Sequence, residues 1–353
     1  MKIKLFYILN GNNGATYILN TSSWKNIGTS LKFYRARTLK ASILKKGLHW
    51  YLFFIGSLFQ TNLKSAIEIN QYLQKVSATS TSFNINKDCS VLISPTNDKV
   101  IVHHHHEYFQ KFAFGKSYHN VKKEADIYDL FTKNKKHFQT SNYYDVEDKK
   151  NELISFKLSN TNVLTSIEKT TVEGLTLALV AFFKTTDSEK CTVKTYVEHL
   201  QSELQQVQNV QTETQVQVLE TIKTNYGELE FPLGLVHRDF KPWNVISYSK
   251  PLIFDFEEAV IDGPPLEDLL NFHIDPIIRY KTIEEVYKIA LNEVQILNYK
   301  NYLKGLNIVM DFKVFLHFYL INRILFWKNA NEAETAMSYK KLSNHLILEE
   351  KFK

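Results

Sequence analysis

The hydrophobic positions change their rhythm along the chain. Short apolar runs of strand length dominate the first half, and longer runs with helical spacing dominate the second. Apolar residues over 4–9 and 15–19 flank Asn10-Gly11-Asn12-Asn13-Gly14, which predicts a hairpin, or two short strands, about a glycine turn. Residues 30–46 have helical spacing with only positive charges, and Trp50, Tyr51, Phe53 and Phe54 follow. Residues 66–76 predict a helix, and the Ser/Thr-rich stretch 77–82 behind it reads as a linker. Strands are predicted over 90–93 and 100–105, about the turn Pro95-Thr96-Asn97-Asp98, then over 108–114, 153–158 and 163–168, with a helix over 121–131. Later helices are predicted over 175–183, 192–207, 283–299 and 312–327, and the Gln-rich stretch 201–217 reads as helix with a loop. The helix over 312–327 is apolar nearly all round, which marks it as buried. The pattern predicts an α+β fold in three parts: an extension (1–86), a small strand-rich lobe (87–170) and a larger, mainly helical lobe (171–353).

Composition adds a compartment and a charge asymmetry. Of the 353 residues, 44% are hydrophobic and 23% charged, as in an ordinary globular protein, and the scarcity of Gly (11) and Pro (7) argues against long disordered linkers. Two cysteines, Cys89 and Cys191, build neither a disulfide framework nor a metal motif, so a reducing cytosol fits. No secretory signal is evident, and the apolar run 50–59 is too short to span a bilayer. Net charge is +6, yet no Asp or Glu occurs before Glu68, while ten Lys or Arg do. Such a segment points to an anionic partner, a membrane face or an acidic glycan ahead of nucleic acid, or else to a solvated basic helix face that packs on the next lobe. The placement this predicts is cytoplasmic, with the extension able to hold the protein at the inner membrane face.

The candidate chemistry lies in Leu235-Val236-His237-Arg238-Asp239-Phe240-Lys241-Pro242-Trp243-Asn244-Val245-Ile246 and its continuation Leu252-Ile253-Phe254-Asp255-Phe256-Glu257. Asp239, an acid in a polar loop, is placed to take a proton from an attacking hydroxyl. Asn244 and Asp255 are hard oxygen ligands of the kind Mg²⁺ prefers. A base with a metal–phosphate clamp is the minimum equipment for phosphoryl transfer from ATP. The run His103-His104-His105-His106 sits on a predicted strand, whose alternation puts only two imidazoles on a face, a poor zinc site.

The order His-Arg-Asp, Asn, Asp-Phe resembles the protein-kinase-like superfamily. Glu257 in place of the third motif residue, and Gly263-Pro264-Pro265-Leu266-Glu267-Asp268-Leu269-Leu270-Asn271-Phe272 after it, resemble aminoglycoside phosphotransferases and choline kinases. Phe240-Lys241-Pro242-Trp243-Asn244 is similar to bacterial members linked to surface-polysaccharide synthesis. The resemblance covers 235–272 strongly and 90–235 more loosely. It implies a two-lobed protein-kinase-like fold and an ATP- and Mg²⁺-dependent kinase acting on a hydroxyl of a small molecule or saccharide. Aminoglycoside or choline phosphorylation is an alternative, and a pseudokinase-like nucleotide-binding module is another. By resemblance, Lys111 holds nucleotide phosphates and Glu124 pairs with it. Asp268 braces the catalytic loop, and backbone groups near 168–174 receive the adenine ring. Lys241 stands where Ser/Thr protein kinases contact the transferred phosphate. The interval from Asp255 to Asp268 is too short for a long activation segment, so Arg238 is expected to form a structural salt bridge.

Overall fold

The computed structural model describes residues 4–351 apart from 12–13, 34–38, 59–62, 106, 132–136, 150–151, 160–171, 187–188, 207–211 and 247–250. The chain divides into two compact units, one of residues 1–126 with 141–166, the other of 127–140 with 167–353.

The first unit is built on one sheet. It begins β1 (Lys4–Asn10), β2 (Thr16–Asn20), α1 (Trp24–Ser30), α2 (Leu39–Leu58), β3 (Lys64–Ser65) and α3 (Ala66–Val76). It continues β4 (Cys89–Ile93), β5 (Lys99–His104), β6 (Tyr108–Phe114) and α4 (Gly115–Leu130), whose last residues belong to the other unit. After β7 (Gln139–Thr140), also of the other unit, β8 (Tyr143–Lys149) and β9 (Leu153–Ser159) complete it. The sheet order is β3-β1-β2-β4-β5-β6-β9-β8, and the pairs among them are antiparallel. α3 starts where Ser65 accepts the Glu68 amide while the Glu68 carboxylate accepts the Ser65 amide, a reciprocal cap that closes two orphan donors. Its inner residues Ile69 and Leu73 pack with Phe6, Ile18, Phe83 and Val91 in the main core of the unit.

Three expectations need correction here. The extension 1–86 is not set apart from the strand-rich lobe, because β2 pairs directly with β4 through Thr16↔Ile93, Tyr17↔Leu92 and Ile18↔Val91. Its polar stretch 77–82 is therefore a loop inside one unit, not a linker between two. The helix expected over 30–46 is instead α1 and a helical turn over 31–33, then α2, which carries Trp50 to Phe54 within it. α4 begins at Gly115, whose φ of +49° favours glycine, so Glu124 stands in mid-helix rather than near its start. The strand expected over 163–168, most of the 168–174 connection, Arg35, Arg37 and His106 lie outside the described residues.

The histidine run belongs to this core. His103 stacks on Phe109 and His104 on Tyr108, at 4.1 and 4.3 Å between ring centres. His104 Nδ1 lies 3.2 Å from Cys89 Sγ, and His105 Nε2 lies 3.1 Å from Ser90 Oγ. The three described imidazoles are buried packing residues.

The second unit continues with α5 (Val172–Phe183), β10 (Lys190–Thr192), α6 (Val193–Gln206), α7 (Glu213–Tyr226), β11 (Glu230–Pro232) and β12 (Gly234–Val236). Short strands β13 (Val245–Ile246), β14 (Leu252–Ile253) and β15 (Val260–Gly263) frame two loops. Helices α8 (Glu267–Ile274), α9 (Ile283–Ala290), α10 (Glu293–Gly305), α11 (Phe312–Asn329) and α12 (Ala333–Lys351) finish it. The single helix predicted over 283–299 is two. Asn292 caps α10 by accepting the Gln295 amide, because an Asn side chain competes with helix continuation. Gly263 lies opposite Gly234 in the β12–β15 pair, and any Cβ on it would run into the Val236 side chain. The two strands thus close on each other at the point where the loop carrying Asp239 leaves β12.

His273 near the end of α8 is mostly buried, and Nε2 is among the buried atoms with no hydrogen-bond partner. Burial pushes its pKa down to about 4. A depressed histidine contributes stability that is present above the unfolded value of about 6.5 and is lost as pH falls toward the folded value. Urea unfolding followed by circular dichroism should therefore show the second unit weakening by roughly 3 kcal/mol at most from this group between pH 7 and pH 4. His273→Phe should flatten that part of the profile; an unchanged slope would remove His273 as its source.

Candidate active site

A strand, a loop and a helix start together hold the motif acids of the second unit in place. The chain leaves β12 at Val236, and Arg238 adopts φ of 59°, a left-handed conformation that costs a non-glycine residue about 1–2 kcal/mol. That turn aims the His237 and Arg238 amides at one carboxylate. Asp268 Oδ2 accepts from His237 N at 2.7 Å, and Oδ1 accepts from Arg238 N at 2.9 Å. Burial pushes the Asp268 carboxyl up, and the two amide donors pull against it by favouring the ionised form. Leu266, also left-handed at φ 68°, turns the chain so that α8 begins with Asp268 facing the loop. Asn271, one turn on, donates from Nδ2 to the Arg238 carbonyl at 3.0 Å.

His237 ties the two motif segments together. It is fully buried, and Nε2 lies 2.9 Å from the Phe254 carbonyl, the residue just before Asp255. Burial lowers its pKa, although the Phe254 carbonyl and nearby acids work the other way. The ring is thus neutral at pH 7 and donates from Nε2. Asp255 itself has φ of 72°, a third left-handed residue after Arg238 and Leu266, and strain of this kind clusters at functional sites.

The loop then folds back on Asp239. Asn244 Nδ2 donates to Asp239 Oδ2 at 2.8 Å and to its carbonyl at 2.9 Å. Lys241 Nζ lies 2.6 Å from Asp239 Oδ1 and 3.0 Å from Asp275 Oδ2. The Asp239 side chain is 31% exposed against 12% for Lys241, so the acid is fixed by both neighbours yet open to a reactant. With its amide nitrogen committed, Asn244 keeps its amide oxygen as the atom for a cation. The Phe254 amide reaches the Asn244 carbonyl at 3.4 Å, which holds the Asp255 segment beside it.

Asp275 and Arg323 were not legible as site residues. Arg323 Nη2 lies 2.9 Å from Asp275 Oδ1, and Tyr339 OH donates to the same oxygen at 2.7 Å. Burial works to raise the Asp275 carboxyl, but the Arg323 and Lys241 charges overcome it and hold it below the usual range. Arg323 Nη1 also donates to the Arg238 carbonyl at 3.2 Å. Asp275 therefore anchors Lys241, and through it Asp239, to α11 and α12. The signal for this was a lone arginine in the apolar run 312–327, since a buried guanidinium requires a buried acid. Arg238, as expected, pairs with Glu267, at 3.4 Å from Nε to Oε1.

A groove of about 470 Å³ opens beside this loop, walled by His199, Glu203, Arg238, Glu258, Asn322 and Asn329 among others. A second hollow of about 320 Å³ shares His199, Arg238 and Asn322 and adds Asp262 and Glu267.

In the first unit, Lys111 on β6 and Glu124 on α4 do come together. Lys111 Nζ lies 2.8 Å from both Glu124 oxygens, and neither side chain is more than 9% exposed. Such a fork fixes the ammonium in one position, as a phosphate-holding lysine requires.

Residues 186–284 match the phosphotransferase enzyme family. The matched stretch contains Asp239, Lys241, Asn244, Asp255, Asp268 and Asp275. No curated protein sequence matches the chain. Among solved structures it is similar to the GDP complex of an aminoglycoside 2'-phosphotransferase-IIIa, at 12% identity, 79% of this chain, 97% of that chain and a TM-score of 0.46. It is also similar to a streptomycin–ATP complex of APH(2")-IIa, at 16% identity, 76% and 95% coverage and a TM-score of 0.40. A choline kinase from Streptococcus pneumoniae is a third, at 12% identity, 78% and 91% coverage and a TM-score of 0.40.

Breaking the Lys111–Glu124 pair from one side leaves a charge buried without its counter-charge. Lys111→Met should cost about 3–5 kcal/mol in urea unfolding of the first unit, and Lys111→Met with Glu124→Leu should recover most of it. Equal losses in the single and double variants would contradict the pairing.

Proposed function

We propose that this chain is an ATP- and Mg²⁺-dependent phosphotransferase that moves the γ-phosphate to a hydroxyl of a small molecule or saccharide. The observation that carries this reading is Asp239, held from both sides by Asn244 and Lys241 in a loop braced by Asp268, within the stretch that matches the family. The acceptor hydroxyl oxygen bonds to the γ-phosphorus, the bond from that phosphorus to the β–γ bridging oxygen breaks, and ADP leaves. Asp239 orients the hydroxyl and receives its proton. Because the transition state is loose, orientation and charge contribute more than full deprotonation. Lys241 holds the Asp239 carboxylate in place, and its own charge is balanced by Asp275. Lys111, fixed by Glu124, would hold the nucleotide phosphates. Asn244 and Asp255 would hold Mg²⁺, which supplies charge neutralisation to the phosphates. The hard oxygens of both residues suit that ion.

The groove beside Arg238 supports a polyhydroxylated acceptor over a polycation. Its walls mix Arg238 and His199 with Glu203, Glu258 and two asparagines, whereas an aminoglycoside or choline calls for a uniformly acidic wall. A saccharide acceptor, and with it a step in surface-polysaccharide synthesis, follows as the favoured substrate class. The pseudokinase alternative is disfavoured because a binding module has no use for the Asn244 and Lys241 clamps on Asp239.

A screen of ATP consumption over sugars, aminoglycosides and choline tests the class, and no turnover with any hydroxyl acceptor would favour the binding module. With the acceptor found, Asp239→Asn should lower kcat by about 10²–10⁴ while nucleotide still binds. Asp255→Ala should abolish the Mg²⁺-dependent part of ATP binding in calorimetry. Normal Mg-ATP binding by that variant would move the metal site elsewhere.

A further inference from the structure

Helix α2 turns an apolar face to each side. Inward, Leu52 is fully buried with Leu19, Ile27 and Leu31, and Leu48 packs against them. Outward, Ile43, Trp50 and Phe54 are 61%, 56% and 52% exposed, and their spacing of seven and four residues puts them on one side of the helix. Leu44 and Tyr51 flank that row on one side and Lys46 and Phe53 on the other, all exposed. Trp24 of α1 extends the patch. Its ring lies 3.8 Å from His49, 4.7 Å from Trp50 and 5.4 Å from Phe53. A soluble surface scatters its exposed apolar residues, whereas here seven large ones lie between Trp24 and Phe54.

The charge around this patch selects its partner. The chain up to Glu68 holds ten Lys or Arg and no acid, and Lys45 and Lys46 sit on α2 itself, with exposed Lys25 on α1. A second copy docked on the same face would bring two copies of this acid-free basic segment together, which like-charge repulsion opposes. An anionic bilayer offers the opposite charge, and its interface favours Trp and Tyr, whose rings are apolar with one polar edge. No helix among the described residues is long and apolar enough to cross a membrane. A 20-residue helix with its apolar side outward instead suits the plane of the interface.

We propose that α2 with Trp24 is a lipid-docking face. Its outward aromatic side enters the headgroup–acyl boundary of an anionic bilayer, and the adjoining Lys25 and Lys46 hold the headgroups. The proposal is independent of the phosphotransferase reading. Co-sedimentation of the full chain with sucrose-loaded vesicles at low salt tests it. The protein should pellet with mixed phosphatidylcholine–phosphatidylglycerol vesicles and not with phosphatidylcholine alone, and its tryptophan emission should shift to shorter wavelength on binding. Lys25→Gln with Lys46→Gln should weaken binding about thirty-fold. Trp50→Ser with Phe54→Ser should weaken it further and shift the melting temperature little, since both side chains are more than half exposed. Failure of the unaltered protein to pellet with the anionic vesicles would overturn the proposal, whatever the variants do. So would pelleting of the Trp50→Ser, Phe54→Ser variant like the unaltered protein. A dimer in sedimentation velocity that this variant converts to monomer would assign the face to a second copy instead.

Discussion

The carboxylate of Asp268 accepting the amides of His237 and Arg238 is the constraint on which the candidate site depends. Two backbone donors in a tight turn would otherwise be buried without acceptors, at a cost of about 1–3 kcal/mol each. By taking both, Asp268 makes the left-handed turn at Arg238 tenable and points Asp239 outward. Everything downstream inherits that geometry. His237 is placed to reach the Phe254 carbonyl, and so the segment carrying Asp255 is fixed to the same loop.

A second layer then restrains the charges. Asp239, Lys241, Asp275 and Arg323 form an alternating line of acid and base from the open loop to the buried face of α11. Alternation matters because each buried charge has a counter-charge within 3.0 Å, and no member is left to bear its desolvation alone. Trp327 adds a ring face to this line, with Arg279 at 4.6 Å, Arg323 at 5.1 Å and Lys241 at 5.9 Å from its centre.

Motif residues were legible in the sequence because their roles depend on order along the chain. Asp239, Asn244 and Asp255 lie within 17 positions of one another, and short strands on either side fix their spacing. The helix over 66–76 was legible to the residue, because Ser65 and Glu68 write its start chemically. Lys111 and Glu124 were found by element type, and the structure joins them although α4 starts earlier than its apolar pattern suggests. Asp275 and Arg323 were not found: the arginine in its apolar run signals a buried acid, but which acid it meets depends on how the end of α8 packs on α11. The strand β8 was missed for a different reason. Tyr143–Lys149 is polar on both faces and almost wholly exposed, as an edge strand can be, so it has no alternation to read. The division at residue 86 failed because a polar, Ser/Thr-rich stretch looks the same whether it joins two domains or two elements of one sheet.

That continuous sheet has a consequence for how the chain can vary. With β1, β2 and β3 on one side of β4, the first 86 residues are not an exchangeable module. A chain beginning at residue 87 would open the β4 edge, a strand whose residues are nearly all buried, and strip Phe6 and Ile18 from the core behind it. Unpaired apolar edges of that kind recruit other strands, so the shortened protein should be lost to self-association before its chemistry is altered. Insertions, deletions and fusions are tolerable at the polar loop ends of this sheet, and the N-terminal strands must travel with the rest of it.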